Sequence, residues 1–358
     1  RNVQFYIMSQ LIEVNNPKLT YWGRFPKKEA EGKTFVFPVC SVYFSFKGRK
    51  LQLRVKNIRS YFRNFLGVVL DGEVIKFEIT DFTDGYHEID IASSLEEKVH
   101  EVCIYKCQDA CHYFNLGGII LEDDAELMSY SPESDLKLEF YGDSVTAGEV
   151  SEAVSYVGQS DPANEGEYSN SYYSYAWMTA RKLGARIHDI AQGGIALFDK
   201  TGYFYGPDYI GLESVYDKVT YNPGLLPLED WDFKAYIPDV VVIAFGQNDA
   251  NPDNYMGKDK EKSERWICGY TDFVVNLASK YPNAKFVLTT TILCHEKAWD
   301  DAIEEAKERI NEVISKKERR CFHFLYTNNG SGTPGHIRIP EADKMSDELA
   351  EAIRRILK

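Results

Sequence analysis

No segment of the 358-residue chain stays apolar over the roughly 20 residues that a membrane-spanning helix requires. The opening Arg1-Asn2-Val3-Gln4-Phe5 has neither a basic leader nor an apolar one. No membrane partner is therefore expected. Positive charge is also short: 41 Lys and Arg stand against 55 Asp and Glu, a net charge of −14. Nucleic acids and anionic surfaces are held by clustered cations that displace counterions, so a nucleic-acid partner is not expected either. Cysteine is scarce. The seven cysteines, at 40, 103, 107, 111, 268, 294 and 321, are odd in number and without a pairing rhythm, which argues against a disulfide framework. A reducing, cytoplasmic compartment is expected, with a secreted protein as the alternative, since a chain that does not start with Met leaves room for a removed signal. No second cysteine pair accompanies Cys103, Cys107, Cys111 and His112, so these are read as small buried side chains on one strand face, not as a zinc site.

What is present divides into two halves. With 44% hydrophobic and 27% charged residues the chain is globular, and its length exceeds what one core usually serves, so two domains are expected. From Phe35 to about Leu121 the chain shows short alternating segments: residues 41–46, 51–55, 66–70, 74–79 and 102–105. Lys47-Gly48, Asp71-Gly72 and Asp84-Gly85 supply turns between them. This is the pattern of an antiparallel sandwich. After residue 135 the pattern changes to apolar strands at 136–141, 187–191, 240–245, 285–290 and 322–326. Helix-period segments at 172–183, 265–280, 300–316 and 341–357 accompany them. Alternation of this kind predicts a parallel sheet covered on both faces, with ligands received at the carboxyl ends of the strands. The division is placed at 1–130 and 131–358. Two connections, 149–170 and 197–239, are longer than packing requires, and loops of that length commonly carry function.

Four blocks stand at those strand ends. Gly142-Asp143-Ser144 puts a serine on a strand-to-helix turn, although Thr146 replaces the second glycine of the common nucleophile elbow. Gln192-Gly193-Gly194 lets backbone N–H groups approach a ligand closely. Gly246-Gln247-Asn248-Asp249 presents a side-chain amide where an oxyanion can be received. The Asp249-x-Asn251-x-Asp253 spacing also suggests a calcium loop, but Asn254 and Lys260 stand where glycine and glutamate are needed. His336 precedes the last helix, with His295 as its rival among the seven histidines. An imidazole that titrates near pH ~6.5 suits proton exchange with a serine hydroxyl. Each block alone is an ordinary turn; the combination points to a serine hydrolase.

The four blocks, with Tyr21-Trp22-Gly23-Arg24-Phe25, Leu116-Gly117-Gly118-Ile119, Trp231-Asp232-Phe233 and residues 344–349, resemble those of the SGNH (GDSL-type) hydrolases, above all carbohydrate esterase family 2. The resemblance implies an N-terminal jelly-roll sandwich and a three-layer α/β hydrolase domain. It also implies acetylated plant oligo- or polysaccharides as substrates and no metal or other cofactor. Ser144 is then nucleophile and His336 general base and acid, with Ser144 N–H, Gly194 N–H and the Asn248 amide receiving the oxyanion. Asp143 and the aromatics Tyr203, Tyr205, Tyr209 and Trp231 are the expected substrate-binding residues, and a homo-oligomer is allowed. The family's Asp three residues before the histidine is Thr333 here, so a Ser144–His336 dyad oriented by a main-chain carbonyl near Thr333 is expected. The alternatives are a carbohydrate-binding protein with a degenerate hydrolase domain and a lipid or thioester hydrolase.

Overall fold

The computed structural model describes residues 9–81 and 85–358. Arg1-Asn2-Val3-Gln4-Phe5 and the Asp84 side of the expected Asp84-Gly85 turn lie outside them.

In the first half the strands alternate as their sequences do. Along Leu51–Arg59, Leu51, Leu53 and Val55 are buried while Gln52 and Arg54 are half-buried, as a strand with one face on a core requires. This strand lies between His112–Glu122 and His87–Ala92, and Ser9–Ile12 and Lys33–Phe35 complete an antiparallel sheet of five. Ser41–Gly48 and Lys98–Lys106 are central in a second antiparallel sheet with Thr20–Trp22, Asn64–Leu70, Glu73–Ile79 and Glu126–Met128. One core takes Leu53 and Leu116 from the first sheet and Phe44, Val68 and Ile104 from the second. The strand His112–Glu122 has no counterpart among the alternating segments because it is buried on both faces, which erases the period of two. The cysteine expectation needs correction. Cys103, Cys107 and Cys111 are buried, but only Cys103 is on a strand; the other two belong to the connection before His112.

In the second half, Leu136–Gly142, Ala185–Ala191, Val240–Ala244, Lys285–Thr289 and Cys321–His323 form a five-stranded sheet, every pair parallel. Val241, Ile243 and Phe245 share a core with Trp266, Phe273 and Ile303, so Lys260–Lys280 and Lys297–Ile314 cover one face. Val240, Val242 and Ala244 share another with Trp177, Met345 and Leu349, so Tyr175–Leu183 and Ile339–Leu357 cover the other. Leu136–Gly142 is flanked by the second strand on one side and the third on the other. The chain therefore switches sides at its carboxyl end, where such sheets open a crevice.

The halves are bound together through buried polar groups as well as apolar ones. Arg24 is fully buried, and its guanidinium donates to Tyr141 Oη at 2.5 Å and Tyr216 O at 2.8 Å, beside Glu139 at 3.5 Å. Ser171 N–H donates to Cys107 O at 2.8 Å.

Candidate active site

Gly142 ends the first parallel strand, and Asp143 caps a single helical turn, Ser144–Ala147, by accepting Val145 N–H at 3.0 Å. Gly148 closes the turn at φ 81°, where a Cβ would lie 2.8 Å from Asn170 O. As the first residue of the turn, Ser144 has an N–H with no partner inside the helix. Its Oγ lies 2.8 Å from His336 Nε2.

The other ring nitrogen decides the geometry. His336 Nδ1 is 2.5 Å from Asp161 Oδ2, and Asp161 Oδ1 accepts the His336 backbone N–H at 2.8 Å. With Nδ1–H donating to the carboxylate, Nε2 is left to accept the serine proton. The expected dyad oriented by a carbonyl near Thr333 is thereby corrected: Thr333 O accepts Cys294 N–H at 2.9 Å, and a carboxylate from the long acidic loop takes the orienting position. Arg338 fixes that carboxylate. Its buried guanidinium lies 3.0 Å from Asp161 Oδ1, donates to Ser160 O at 3.3 Å, and also donates to His336 O. Gly335 permits the approach, since a Cβ there would stand 2.4 Å from Gln159 O and 2.7 Å from Asp161 Oδ1.

The charges agree with this arrangement. Burial alone would lower the His336 pKa, but the Asp161 hydrogen bond and the charges of Glu149, Asp161 and Asp143 raise it above the usual imidazole value. Burial pushes Asp161 upward, and the His336 and Arg338 contacts more than reverse it, so this carboxyl stays below its ordinary range. Burial pushes Asp143 up to about 6 and Glu149 up to about 7, with His336 opposing both shifts.

The glycine and amide blocks lie beside the serine. Asp143 Oδ2 accepts from Gln247 Nε2 at 2.8 Å and Asn248 Nδ2 at 3.3 Å, and the Asn248 amide also donates to Ile195 O at 3.2 Å. Gly193 N–H is taken by Asp109 Oδ2 of the first half at 2.9 Å. Gly194, at φ 72°, has its carbonyl engaged by Tyr203 N–H at 2.7 Å, and a Cβ on it would be 2.8 Å from Tyr203 Cβ. Neither Ser144 N–H nor Gly194 N–H has a hydrogen-bond partner among the described residues.

These groups open into a cavity of about 630 Å³. Ser144, His336, Gly194 and Asn248 line it together, as do Tyr203 and Tyr205. Asp143 lies beneath them, orienting amides. Tyr209 and Trp231 are elsewhere. Tyr209 packs near Gly206, and Trp231 stacks with the buried Arg24 at 5.1 Å, beside His188 at 5.9 Å. An aromatic in a long loop thus lies half-buried over the guanidinium of Arg24 rather than lining the cavity. The Asp249-x-Asn251-x-Asp253 run is spent on structure. Asp249 accepts Trp266 Nε1–H at 2.7 Å, Asn251 donates to Gly202 O at 2.8 Å, and Asp253 pairs with Lys262 at 2.5 Å. Sequence reasoning missed Asp161, Arg338, Asp109 and Glu149, and the first-half residues Ser60, Tyr61 and Cys111 that wall the cavity. The length and acidity of residues 149–170 were the available signal for Asp161.

Residues 21–132 match the family described as Carbohydrate esterase 2 N-terminal. The chain is 28% identical to "Cellulase/esterase CelE" of Acetivibrio thermocellus over 98% of its own length, and spans 41% of that protein. It is 24% identical to "Acetylxylan esterase / glucomannan deacetylase" of Cellvibrio japonicus, covering 97% of this chain and 91% of that one. In fold it superimposes on a family two carbohydrate esterase from Clostridium thermocellum in complex with cellohexaose, at a TM-score of 0.78 and 23% identity over 95% of this chain and 99% of that chain. Residues 21–132 thus match the N-terminal domain of carbohydrate esterase family 2, and the chain resembles esterases of that family along nearly its whole length.

Proposed function

We propose that this protein is a serine esterase that removes O-acetyl groups from plant cell-wall saccharides of the xylan or mannan type through an acetyl-serine intermediate. The observation that carries the reading is the line Ser144 Oγ, His336 Nε2, His336 Nδ1, Asp161 Oδ2, with separations of 2.8 Å and 2.5 Å across the two hydrogen bonds. Ser144 Oγ attacks the acetyl carbonyl while His336 takes its proton; Asp161 stabilises the imidazolium that forms. The carbonyl oxygen becomes an oxyanion received by the Ser144 and Gly194 N–H groups and by the Asn248 amide, which gives up its 3.3 Å bond to Asp143 Oδ2 to do so. His336 then returns the proton to the departing sugar oxygen, and the same cycle with water releases acetate.

The names of the curated relatives support the sugar and the acetyl group; the residues alone support only serine ester hydrolysis. The rival reading, a binding module with a degenerate hydrolase domain, drew its force from a missing acid, and Asp161 supplies one. We also read the chain as two domains, 1–130 and 131–358, the first a jelly roll. Support comes from consecutive strands that pass between the two antiparallel sheets: Ser41–Gly48, Leu51–Arg59 and Asn64–Leu70 alternate, as do His87–Ala92, Lys98–Lys106 and His112–Glu122.

The test is release of acetate from acetylated xylo-oligosaccharide and of nitrophenol from its acetate ester, with and without Ser144→Ala. Loss on the order of 10⁶-fold is expected for the variant. Equal rates in both proteins would refute the reading.

A further inference from the structure

We propose that Tyr61, from the antiparallel half, is a stacking platform for the saccharide chain and a specificity-determining residue of the cavity that holds Ser144; this rests on the deacetylase reading above. Among the described residues the two most exposed aromatic residues are Tyr203, at 61%, and Tyr61, at 59%. Both line that one cavity. An aromatic ring left in water forgoes the burial that would stabilise the fold, so two of them at the mouth of one cavity point to a ligand with flat apolar faces. A pyranose ring presents such a face of C–H groups, and an acetyl group alone is too small to need one.

Tyr61 is also held firmly, which a platform requires. Its ring meets Phe62 at 4.6 Å and His112 at 5.0 Å, both near-perpendicular contacts. The turn that carries it, residues 60–63, joins strands of the two antiparallel sheets. Arg59 clamps its start by bonding Asp81 at 2.8 Å and Phe62 O at 3.2 Å. Arg63 fastens its end: the guanidinium donates to Glu78 at 2.9 Å, the backbone N–H to Glu165 O at 2.9 Å, and its carbonyl accepts from Gln108 at 2.9 Å. Glu165 belongs to the loop that brings Asp161 to His336, so one connection positions both the ring and the histidine. A ring fixed before the ligand arrives loses little conformational freedom on binding.

The experiment compares Tyr61→Ala, Tyr61→Phe and, as a surface control outside the cavity, Tyr156→Ala. KM and kcat are measured on acetylated xylo-oligosaccharide and on nitrophenyl acetate, and calorimetry gives the Kd for unacetylated xylohexaose. Tyr61→Ala is expected to raise KM for the oligosaccharide and Kd for xylohexaose by about 3–10-fold. The rise should exceed any change on nitrophenyl acetate at least about threefold, with kcat moving less than KM. Tyr61→Phe keeps the ring and is expected to stay within about twofold of the parent, as is Tyr156→Ala. Equal effects of Tyr61→Ala on both esters, or an unchanged xylohexaose Kd, would overturn the proposal. Failure of the parent to hydrolyse either ester would instead remove the esterase reading, and the xylohexaose comparison would still decide the role of Tyr61.

Discussion

Two histidines at the carboxyl edge of the parallel sheet are each held by an aspartate beside a hydroxyl, and the parts are assembled in opposite order. His295 Nε2 lies 2.9 Å from Asp300 Oδ2 and 3.3 Å from Thr290 Oγ, while its Nδ1 lies 2.8 Å from Leu293 O. Thr290 is fully buried and gives its own proton to Asp300 Oδ1 at 2.7 Å. His336 turns Nδ1 to its carboxylate and leaves Nε2 for Ser144, within the cavity. Both imidazoles have raised pKa values, burial being outweighed in each by a carboxylate hydrogen bond and nearby negative charge. A raised pKa and an aspartate therefore do not by themselves mark a histidine for catalysis. What distinguishes the two is which nitrogen remains to accept a proton, and whether a substrate can reach the hydroxyl.

The contrast is broken most severely by paired substitution. His336→Ala is expected to lower kcat/KM by about 10⁴-fold or more. His295→Gln should leave it within about threefold and show its effect in thermal or denaturant unfolding instead, as a loss of about 1–3 kcal/mol from a buried carboxylate deprived of its partner. A comparable activity loss in both variants would erase the difference between the two sites. Next in size is Asp161→Asn, for which a fall in kcat of about 10³–10⁴-fold is expected if the carboxylate holds the tautomer and stabilises the imidazolium. Less than tenfold would return the orienting role to a neutral group. Asn248→Ala should cost about 10²–10³-fold in kcat, roughly 2.7–4 kcal/mol of transition-state stabilisation. A fall in stability without this fall in rate would make the amide structural.

The smallest effect concerns pH. Only neutral His336 accepts the serine proton, so kcat/KM should fall as pH drops through its raised pKa, beginning above the ordinary imidazole range. Glu149 adds negative charge that favours the imidazolium. Glu149→Gln should therefore move the acid limb to lower pH by less than about one unit. A limb that moved upward, or not at all, would show that Glu149 does not act on His336.

Ser144, Gly194, Asn248 and His336 were legible because each sits in a short motif next to a strand end or helix start, where local residue types reveal the turn. The parallel strands were legible for a related reason: a run such as Val240–Ala244, apolar throughout, has few places to go other than the middle of a covered sheet. Trp231 was read toward the cavity because its partner, Arg24, lies in the other half of the chain and leaves no mark near residue 231. Asp161 went unread for a similar reason, being 175 residues from His336 in a loop whose motif, if it has one, is only length and acidity.

Local composition by itself determined the periodicities, the turn chemistry and thus the two kinds of sheet, because a period of two, a period near 3.6 and a glycine at a strand end act within a few residues. Tertiary structure alone decided which carboxylate faces His336 and which of two histidines is open to a ligand. It also decided that the antiparallel half supplies Tyr61 and Asp109 to a site built on the other half. Those outcomes depend on distances between segments far apart in the chain, set by burial of Arg24 and Arg338 and by the bonds of one long loop to Arg63 in the first half and His336 in the second.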